Sequence, residues 1–381
     1  MTYDIEALRS AEFPWTARSG PYLNHASTGP LPARTVRALA EFNALRAEPH
    51  RISQELEFGT LTRSRELCAQ LVGASPDEIA LMVNTGYGIN LAARALGLAA
   101  GDVVLSVDRE FPANVYPWMA LERDGILFKR LPCDAQGVPD EDALVAAIAR
   151  EAGLKVVAVS WVGFASGFTF DLERLGRACA ARGAHLVVDA IQGVGAKSID
   201  LSRGNVSILA CGAQKWLLSP WGTGFAYVRR DLVAEMLPDQ VSWMAVEGSD
   251  DFTRLVDYNF IYRDNARRFE MVTLPYQDFA GMNESLAMLL SLGDDVHRHI
   301  ASLAARIVDR AERAATVRAV TPREEHRAGI VAVYPTDATA AVRRLDEAEV
   351  VYSLREGAIR LSPHCYTTLE EVDRAMDAIA G

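Results

Sequence analysis

The residue best suited to chemistry in this sequence is Lys215, which stands among apolar residues. It lies in "ILACGAQKWLLSP", between Ala213 and Trp216, and no acidic residue is near it in sequence. Because burial among apolar side chains removes hydration, such an ammonium has a lowered pKa, and its amine can form a Schiff base with an aldehyde. The structural alternative is a lysine at a strand end that buries its stem and keeps its charge in water.

Two further motifs follow strand-like apolar runs. "NTGYG" (84–88) opens directly into a helical pattern, and the free N–H groups and dipole of a helix N-terminus suit a phosphate. The motif alone is explained as well by an N-cap in a tight turn. Asp189 ends "HLVVD", and Gln192 follows it. A buried acid there either requires a cationic partner or caps the next segment.

Together, these motifs predict one ligand that carries an aldehyde, a phosphate and a cationic ring nitrogen. Pyridoxal 5′-phosphate (PLP) has all three groups. Residues that follow parallel strands meet at one edge of the sheet, so they can converge on such a ligand. The combination therefore predicts a PLP site more strongly than any of the motifs alone.

Motifs over nearly the whole chain resemble the class V aminotransferases of PLP fold type I, the group that holds cysteine desulfurases and isopenicillin N epimerase-like proteins. The resemblance begins at "YLNHASTGPLP" (22–32) and ends at "IRLSPHCYTTLEEVDRAM" (359–376). It implies an α/β fold with a large, mostly parallel-sheet domain and a smaller α+β C-terminal domain. Its ordered blocks are "NTGYGIN", "EFPANVYPW", "VVDAIQGVG", "GAQKWL", "RRFEMVT" and "IRLSPH".

The resemblance also implies the cofactor contacts. Lys215 would bind PLP as a Schiff base and then move the substrate Cα proton, and Asp189 would pair with the pyridinium nitrogen. The other cofactor contacts it implies are Gln192 at the phenolate oxygen, Phe111 on the ring, and Thr85, Gly86 and Gln214 at the phosphate.

Four more residues are assigned to the substrate or to a second subunit. Arg360 would bind the substrate carboxylate, for which a guanidinium fork is the natural group. Thr273 would reach the phosphate of the neighbouring subunit, which implies a homodimer with a shared active site. His25 is expected either to touch the pocket or to serve in a turn, and Trp161 either to line the pocket or to lie in the core. No metal is expected.

The sequence departs from the desulfurases where they carry a mobile cysteine. The matching region, "YSLREGAIR" (352–360), has none, and Cys365 lies on the wrong side of Arg360. Gln214 also replaces the histidine that is common in desulfurases, and Gly86 replaces a threonine. These differences argue against desulfurase activity.

Alternating helical and strand-like patterns predict how these residues are positioned. Continuously apolar strands between helices indicate a mostly parallel sheet covered on both faces. The expected domains are an N-terminal segment at 1–21 that packs with the small domain, a large PLP-binding domain at 22–275 and a small domain at 276–381. The expected strands lie at 78–83, 102–107, 155–162, 184–191, 329–334, 350–354 and 358–362. The expected helices lie at 64–72, 89–98, 141–152, 172–183, 278–315 and 338–347, with a last helix from Thr368.

Bulk composition excludes several classes of partner. The net charge is −11, and no basic run interleaves with aromatic residues. This argues against a nucleic acid or an anionic membrane surface as partner. No secretory signal or membrane-spanning run is visible. Five scattered cysteines without a CxxC motif are expected to be reduced thiols in the cytoplasm.

The sequence thus predicts a PLP-dependent enzyme that acts on an amino acid or a related small amine. An aminotransferase is the main hypothesis. The alternatives are an amino-acid epimerase, a C–S (β-elimination) lyase and, from a different class, a non-catalytic PLP-binding regulator. The presence of both Lys215 and Arg360 argues against the regulator, since a cofactor store needs no carboxylate clamp.

Overall fold

Two β-sheets organise the chain in the computed structural model, which describes residues 3–321 and 324–381. Over those residues, the larger sheet has seven strands: β1 (Ile79–Leu81), β2 (Val103–Val107), β3 (Leu127–Leu131), β4 (Leu154–Ser160), β5 (His185–Asp189), β6 (Ile208–Gly212) and β7 (Gly224–Val228). The smaller sheet has four: β8 (Val317–Ala319), β9 (Val331–Pro335), β10 (Ser353–Arg355) and β11 (Ala358–Leu361). The helices are α1 (Ile5–Glu12), α2 (Ala33–Ala47), α3 (Gln54–Val72), α4 (Thr85–Ala95), α5 (Tyr116–Met119), α6 (Glu141–Arg150), α7 (Leu172–Ala180), α8 (Arg230–Glu235), α9 (Tyr276–Leu292), α10 (Asp295–Arg313), α11 (Ala338–Glu347) and α12 (Leu369–Ala380).

The larger sheet is mostly parallel and is covered on both faces, as the sequence predicts. Its strand order is β1–β7–β6–β5–β4–β2–β3, and only β7 runs antiparallel to its neighbours. Along β2, Val103, Leu105 and Val107 belong to one apolar core and Val104 belongs to the other. Because both faces are buried, the strand is apolar at nearly every position.

The smaller sheet is antiparallel, with the order β10–β11–β9–β8. A two-residue turn, Glu356–Gly357, joins β10 to β11, and both of its residues have positive φ, 48° and 83°. Positive φ at both positions is the geometry of a tight hairpin turn. The register pairs Ser353 with Arg360, so the hairpin fixes which side chains share a face.

The structure contains elements that the sequence predictions left out, among them α1, α2, α8 and β8, and two further differences affect the layout of the fold. β3 was not predicted, because it lies at the edge of the sheet and its residues are exposed or half-buried. The helix expected at 278–315 is divided into α9 and α10 at Gly293, whose φ of 59° ends α9. α9 packs on α2 and α3, whereas α10 packs on α12 and the smaller sheet. The domain boundaries themselves stay a prediction.

The beginning of the chain is attached to its C-terminal part. The Arg9 guanidinium donates two hydrogen bonds of 3.0 Å to the Glu371 carboxylate on α12. The Tyr3 hydroxyl donates to the Cys365 carbonyl oxygen. These contacts lie where the segment 1–21 is expected to pack. Within the two described ranges, no helix is both long and apolar enough to cross a membrane.

Candidate active site

The candidate residues gather at the carboxyl edge of the larger sheet. Thr85 follows β1, Phe111 follows β2, Asp189 ends β5 and Lys215 follows β6. Ser160, at the end of β4, is in register with Asp189. The sheet therefore brings to one edge residues that are up to 130 positions apart in sequence.

Lys215 presents a largely buried amine without a polar partner. Its Nζ lies 5.7 Å from the centroid of the Phe111 ring. It forms no hydrogen bond or ion pair with any residue of 3–321 or 324–381. Burial lowers the pKa of this amine to about 8, although the Asp189 carboxylate opposes the shift. With a pKa of about 8, roughly a tenth of the amine is uncharged at pH 7, far more than in an ordinary lysine, and this share is available as a nucleophile or base.

Asp189 is a buried carboxylate with unused hydrogen-bonding capacity. Its side chain is 2 % exposed, and the Ile191 N–H donates to Oδ1 at 3.1 Å. Oδ2 accepts no hydrogen bond from the described residues. Burial raises the pKa of the carboxyl to about 6, so it is mostly ionised at neutral pH. A buried anion with a free oxygen suits a protonated ring nitrogen.

The first turn of α4 offers an anion seat. The helix begins at Thr85, and Asn84 Oδ1 caps it by accepting from the Tyr87 N–H at 2.9 Å. The N–H groups of Thr85 and Gly86 have no acceptor within the helix, because the first turn has no preceding carbonyls. These groups and the helix dipole suit a phosphate.

Gly212 brings two more polar side chains to this seat. Its N–H donates to Thr85 Oγ1 at 2.8 Å, so the Thr85 hydroxyl proton remains available to an acceptor. A Cβ at position 212 would lie 2.6 Å from Gln214 Oε1 and 3.2 Å from Thr85 Oγ1. The absence of a side chain at Gly212 therefore lets Thr85 and Gln214 approach each other.

Gln192 is held by neighbours on both sides of its amide. Its Nε2 donates to the Ala26 carbonyl and its Oε1 accepts from Trp216 Nε1, each at 2.9 Å. One Nε2 proton remains for another acceptor. Trp161 packs on the adjoining main chain, since a Cβ at Gly193 would lie 2.1 Å from its ring. With 4 % of its surface exposed, Trp161 supports the Gln192 segment, and a role in lining the pocket stays a prediction.

Arg360 is a buried cation bound only to neutral acceptors. Its side chain donates to Ser353 Oγ at 3.1 Å, to the Phe164 carbonyl at 2.7 Å and to Ser27 Oγ at 2.8 Å. It forms no ion pair with any described carboxylate. Burial, with a contribution from the charge of Arg355, lowers the pKa of the guanidinium to about 10. An unpaired buried guanidinium calls for an anionic ligand, and a carboxylate matches its fork.

His25 connects the loop at 24–29 to the C-terminal part of the chain. Its ring nitrogens lie 2.8 Å from the Ser362 carbonyl and 2.7 Å from the Tyr366 hydroxyl. Burial lowers its pKa well below the usual range, so the ring is neutral. Since both nitrogens are occupied, His25 anchors the loop, and it is Ser27 that reaches Arg360.

Thr273 lies at the surface of the protein. It is exposed, and within the described ranges it forms no hydrogen bond, either with the other candidate residues or with any other residue. The N–H of the preceding Val272 donates to Ser242 Oγ at 3.4 Å. Ser242 lines a surface groove that also includes Trp243 and Phe260.

Sequence reasoning missed Ser27 and Glu110. Glu110 accepts from the Ser160 N–H at 2.7 Å, from the Ser160 hydroxyl, and from Asn114 Nδ2 at 3.2 Å. It thus fixes the Phe111 loop to the end of β4, and burial raises its pKa to about 7. The motifs "NHASTG" and "EFPAN" contain both residues, but nothing local distinguishes them. Within the described ranges, no three His, Cys, Asp or Glu residues are placed to hold a metal ion.

Comparison with known protein families identifies the class to which this chain belongs. Residues 21–375 match the family model described as Aminotransferase class-V, and the chain belongs to that family. It is 29% identical to a probable cysteine desulfurase of Aeropyrum pernix, over 97% of this chain and 91% of that protein. It is 29% identical to an isopenicillin N epimerase of Streptomyces clavuligerus, over 94% and 93% of the two chains.

A solved structure confirms the predicted fold. The cystine C–S lyase C-DES, in complex with its reaction product cysteine persulfide, aligns with a TM-score of 0.87. The alignment covers 97% of this chain and 99% of the lyase at 21% identity. At this identity the likeness concerns the fold, which is the fold type I arrangement expected from the sequence.

Proposed function

We propose that this chain is a PLP-dependent enzyme of α-amino acids and that it works as an aminotransferase. Its residues fit the cofactor at three points. The first turn of α4 with Thr85 offers an anion seat, Asp189 has a free buried carboxylate oxygen, and Lys215 has an amine without a polar partner. Pyridoxal 5′-phosphate is the cofactor that combines the matching groups.

Bound PLP supplies an aldehyde that condenses with amines and a ring that withdraws electrons from the substrate Cα. Asp189 would hold the proton on the ring nitrogen, and Gln192 would offer its remaining N–H to the phenolate oxygen. Phe111 provides an apolar surface beside Lys215. Thr85, Gly86 and Gln214 would hold the phosphate, and Arg360 would hold the substrate carboxylate.

Transamination is favoured because, once Asp189 is assigned to the ring nitrogen, Lys215 is the one acid–base side chain described at this edge that has no hydrogen-bond partner. Lys215 has a pKa of about 8 and no hydrogen-bond partner among the described residues. The carboxyl of Glu110 is bound to Ser160 and Asn114, and both His25 nitrogens are occupied. A single base can take a proton from the substrate and return it on the same side, whereas a two-base epimerase needs a second donor.

The cysteines argue against thiol chemistry on the protein. Cys68, Cys179, Cys211 and Cys365 are buried. The half-buried Cys133 donates to the Asp108 carbonyl at 3.0 Å, and burial raises its pKa to about 11. A thiol acts as a nucleophile only as the thiolate, so none of these five is suited to carry sulfur. Five unpaired cysteines also support our proposal that the protein works in the reducing cytoplasm.

We further propose a homodimer in which the two copies share their active sites. The segment at 252–261 exposes large apolar side chains: Tyr258 is 92% exposed, and Val256 and Phe260 are each 74% exposed. Such a contiguous patch indicates a protein interface. Thr273 lies beside this patch through the Val272–Ser242 hydrogen bond, as a residue that reaches into a partner's site would.

The proposal is tested in two steps on the purified protein. First, borohydride should fix the cofactor to Lys215, as detected by peptide mass spectrometry; Lys155→Met, at an exposed lysine, should behave as wild type. Second, the protein is incubated with a panel of amino acids and a 2-oxo acid. Transfer of the amino group to the 2-oxo acid is expected.

Other outcomes would contradict the aminotransferase. Racemisation without 2-oxo acid formation would indicate an epimerase. Pyruvate released with thiol or sulfide would indicate a C–S lyase. Bound cofactor without turnover of any substrate would indicate a regulator. Failure to fix cofactor at Lys215 would reject the PLP assignment itself.

A further inference from the structure

A second arginine stands beside Arg360 on the β10–β11 hairpin. The register pairs Ser353 with Arg360 and Arg355 with Ala358. Directly paired residues and residues two positions apart on a strand share a face. Arg355 and Arg360 therefore lie diagonally on one face of the hairpin.

The two guanidiniums converge on one hydroxyl. Arg360 Nη2 donates to Ser27 Oγ at 2.8 Å, and Arg355 Nη2 donates to the same oxygen at 3.3 Å. The other hydrogen bond of Arg355 goes to the Leu354 carbonyl. Two like charges thus meet at a neutral oxygen, an arrangement that an anion between them would stabilise.

Neither arginine has an anionic partner among the described residues. Glu356 follows Arg355 in sequence, but its carboxylate pairs with Arg109 at 3.2 Å. Near Arg360, the Phe164 and Phe111 rings contact edge to face, with centroids 5.4 Å apart. The site therefore presents two unpaired cations beside an apolar wall, where a charge-assisted pair is stronger than in open water.

We propose that the substrate carries a second anionic group, which Arg355 binds while Arg360 binds the α-carboxylate. The class is an amino acid whose side chain ends in a carboxylate or a sulfonate. Arg360 is 1% exposed and suits the group nearest the reacting carbon, whereas the half-buried Arg355 suits the side-chain end. This inference rests on the proposed function.

Binding of unreactive acids to the protein as purified tests it without turnover. Calorimetry compares succinate and glutarate with butyrate and valerate, which have the same chain lengths and one carboxylate. The dicarboxylates should bind roughly 10- to 100-fold more tightly, as one further charge-assisted pair provides. In a further arm, 3-sulfopropionate distinguishes a sulfonate from a carboxylate.

Two variants test whether Arg355 is responsible for the preference for dicarboxylates. Arg355→Met should reduce the dicarboxylate preference to about 2-fold or less, and Arg355→Lys should keep part of it, since a lysine retains the charge without the fork. Arg109→Met is the control, because it removes the arginine that pairs with Glu356, the residue next to Arg355, and it should keep the preference. Thermal melting checks that each variant is folded.

Three outcomes would overturn the inference: equal binding of mono- and dicarboxylates, equal weakening of both by Arg355→Met, or an equal effect of Arg109→Met. Equal weakening would mean that both arginines hold one carboxylate. These outcomes are independent of the aminotransferase proposal. That proposal fails if no cofactor is fixed at Lys215 or no amino group is transferred, while acid binding is still measured.

Discussion

Replacing Lys215 by methionine is expected to stabilise the cofactor-free protein at neutral pH. In the folded chain the Lys215 pKa is about 8, against 10.5 for an ordinary lysine. This difference corresponds to roughly 3 kcal/mol of destabilisation below pH 8, where the folded state must keep a poorly solvated ammonium. Methionine fills a similar volume without that charge.

Asp189 reduces the stabilisation expected from Lys215→Met. It loses an attractive partner, and its pKa, already raised to about 6, rises further. The extra cost is limited to about 1 kcal/mol at neutral pH, because the carboxyl can take up a proton instead. The expected net increase in the free energy of unfolding is therefore roughly 2 kcal/mol.

The stability difference between Lys215→Met and the wild type should depend on pH in a definite direction. Between about pH 8 and 10.5 the unfolded chain holds a Lys215 proton that the folded chain has released, so wild-type stability rises with pH across this window. The advantage of Lys215→Met should then be largest near pH 7 and small near pH 10 in urea unfolding. The exposed Lys155→Met is the control. A pH-independent difference, or a less stable Lys215→Met protein at neutral pH, would refute the reasoning.

Two further outcomes follow from buried and exposed contacts elsewhere. Arg65 donates to Glu270 at 2.7 and 2.6 Å with both side chains buried, so Arg65→Met should lower the free energy of unfolding by roughly 3–5 kcal/mol in urea. The exposed Arg63→Met should cost about 1 kcal/mol or less, and equal losses would contradict this. Phe260→Glu should convert the proposed dimer to monomers in light scattering, while Val36→Glu, at an exposed site on α2, should not. A monomeric wild-type protein would contradict the proposal of a dimer.

From the sequence, site residues that follow apolar strands are easier to predict than residues whose contacts join segments far apart in the chain. Asp189 and Thr85 are predictable because each comes directly after an apolar run, and parallel strands bring their ends together. Strand β3 is not predictable in this way, because edge strands are only partly buried and lack a continuous apolar pattern. Ser27 and Arg355 are 328 residues apart, and no local pattern records a contact of that kind.

The short turn at Glu356–Gly357 bears on two features of this site: the absence of a mobile cysteine and the presence of Arg355. The sequence shows that residues 352–360 contain no cysteine, and the structure shows that β10 and β11 are joined there by two residues with positive φ. A connection this short leaves no mobile loop that could carry a thiol to Lys215. The same turn fixes the hairpin register and so holds Arg355 on the face of Arg360. The short turn would then explain both the absence of a mobile thiol and the presence of a second cation at the substrate pocket. Lengthening the turn should therefore weaken the binding of dicarboxylates more than that of monocarboxylates.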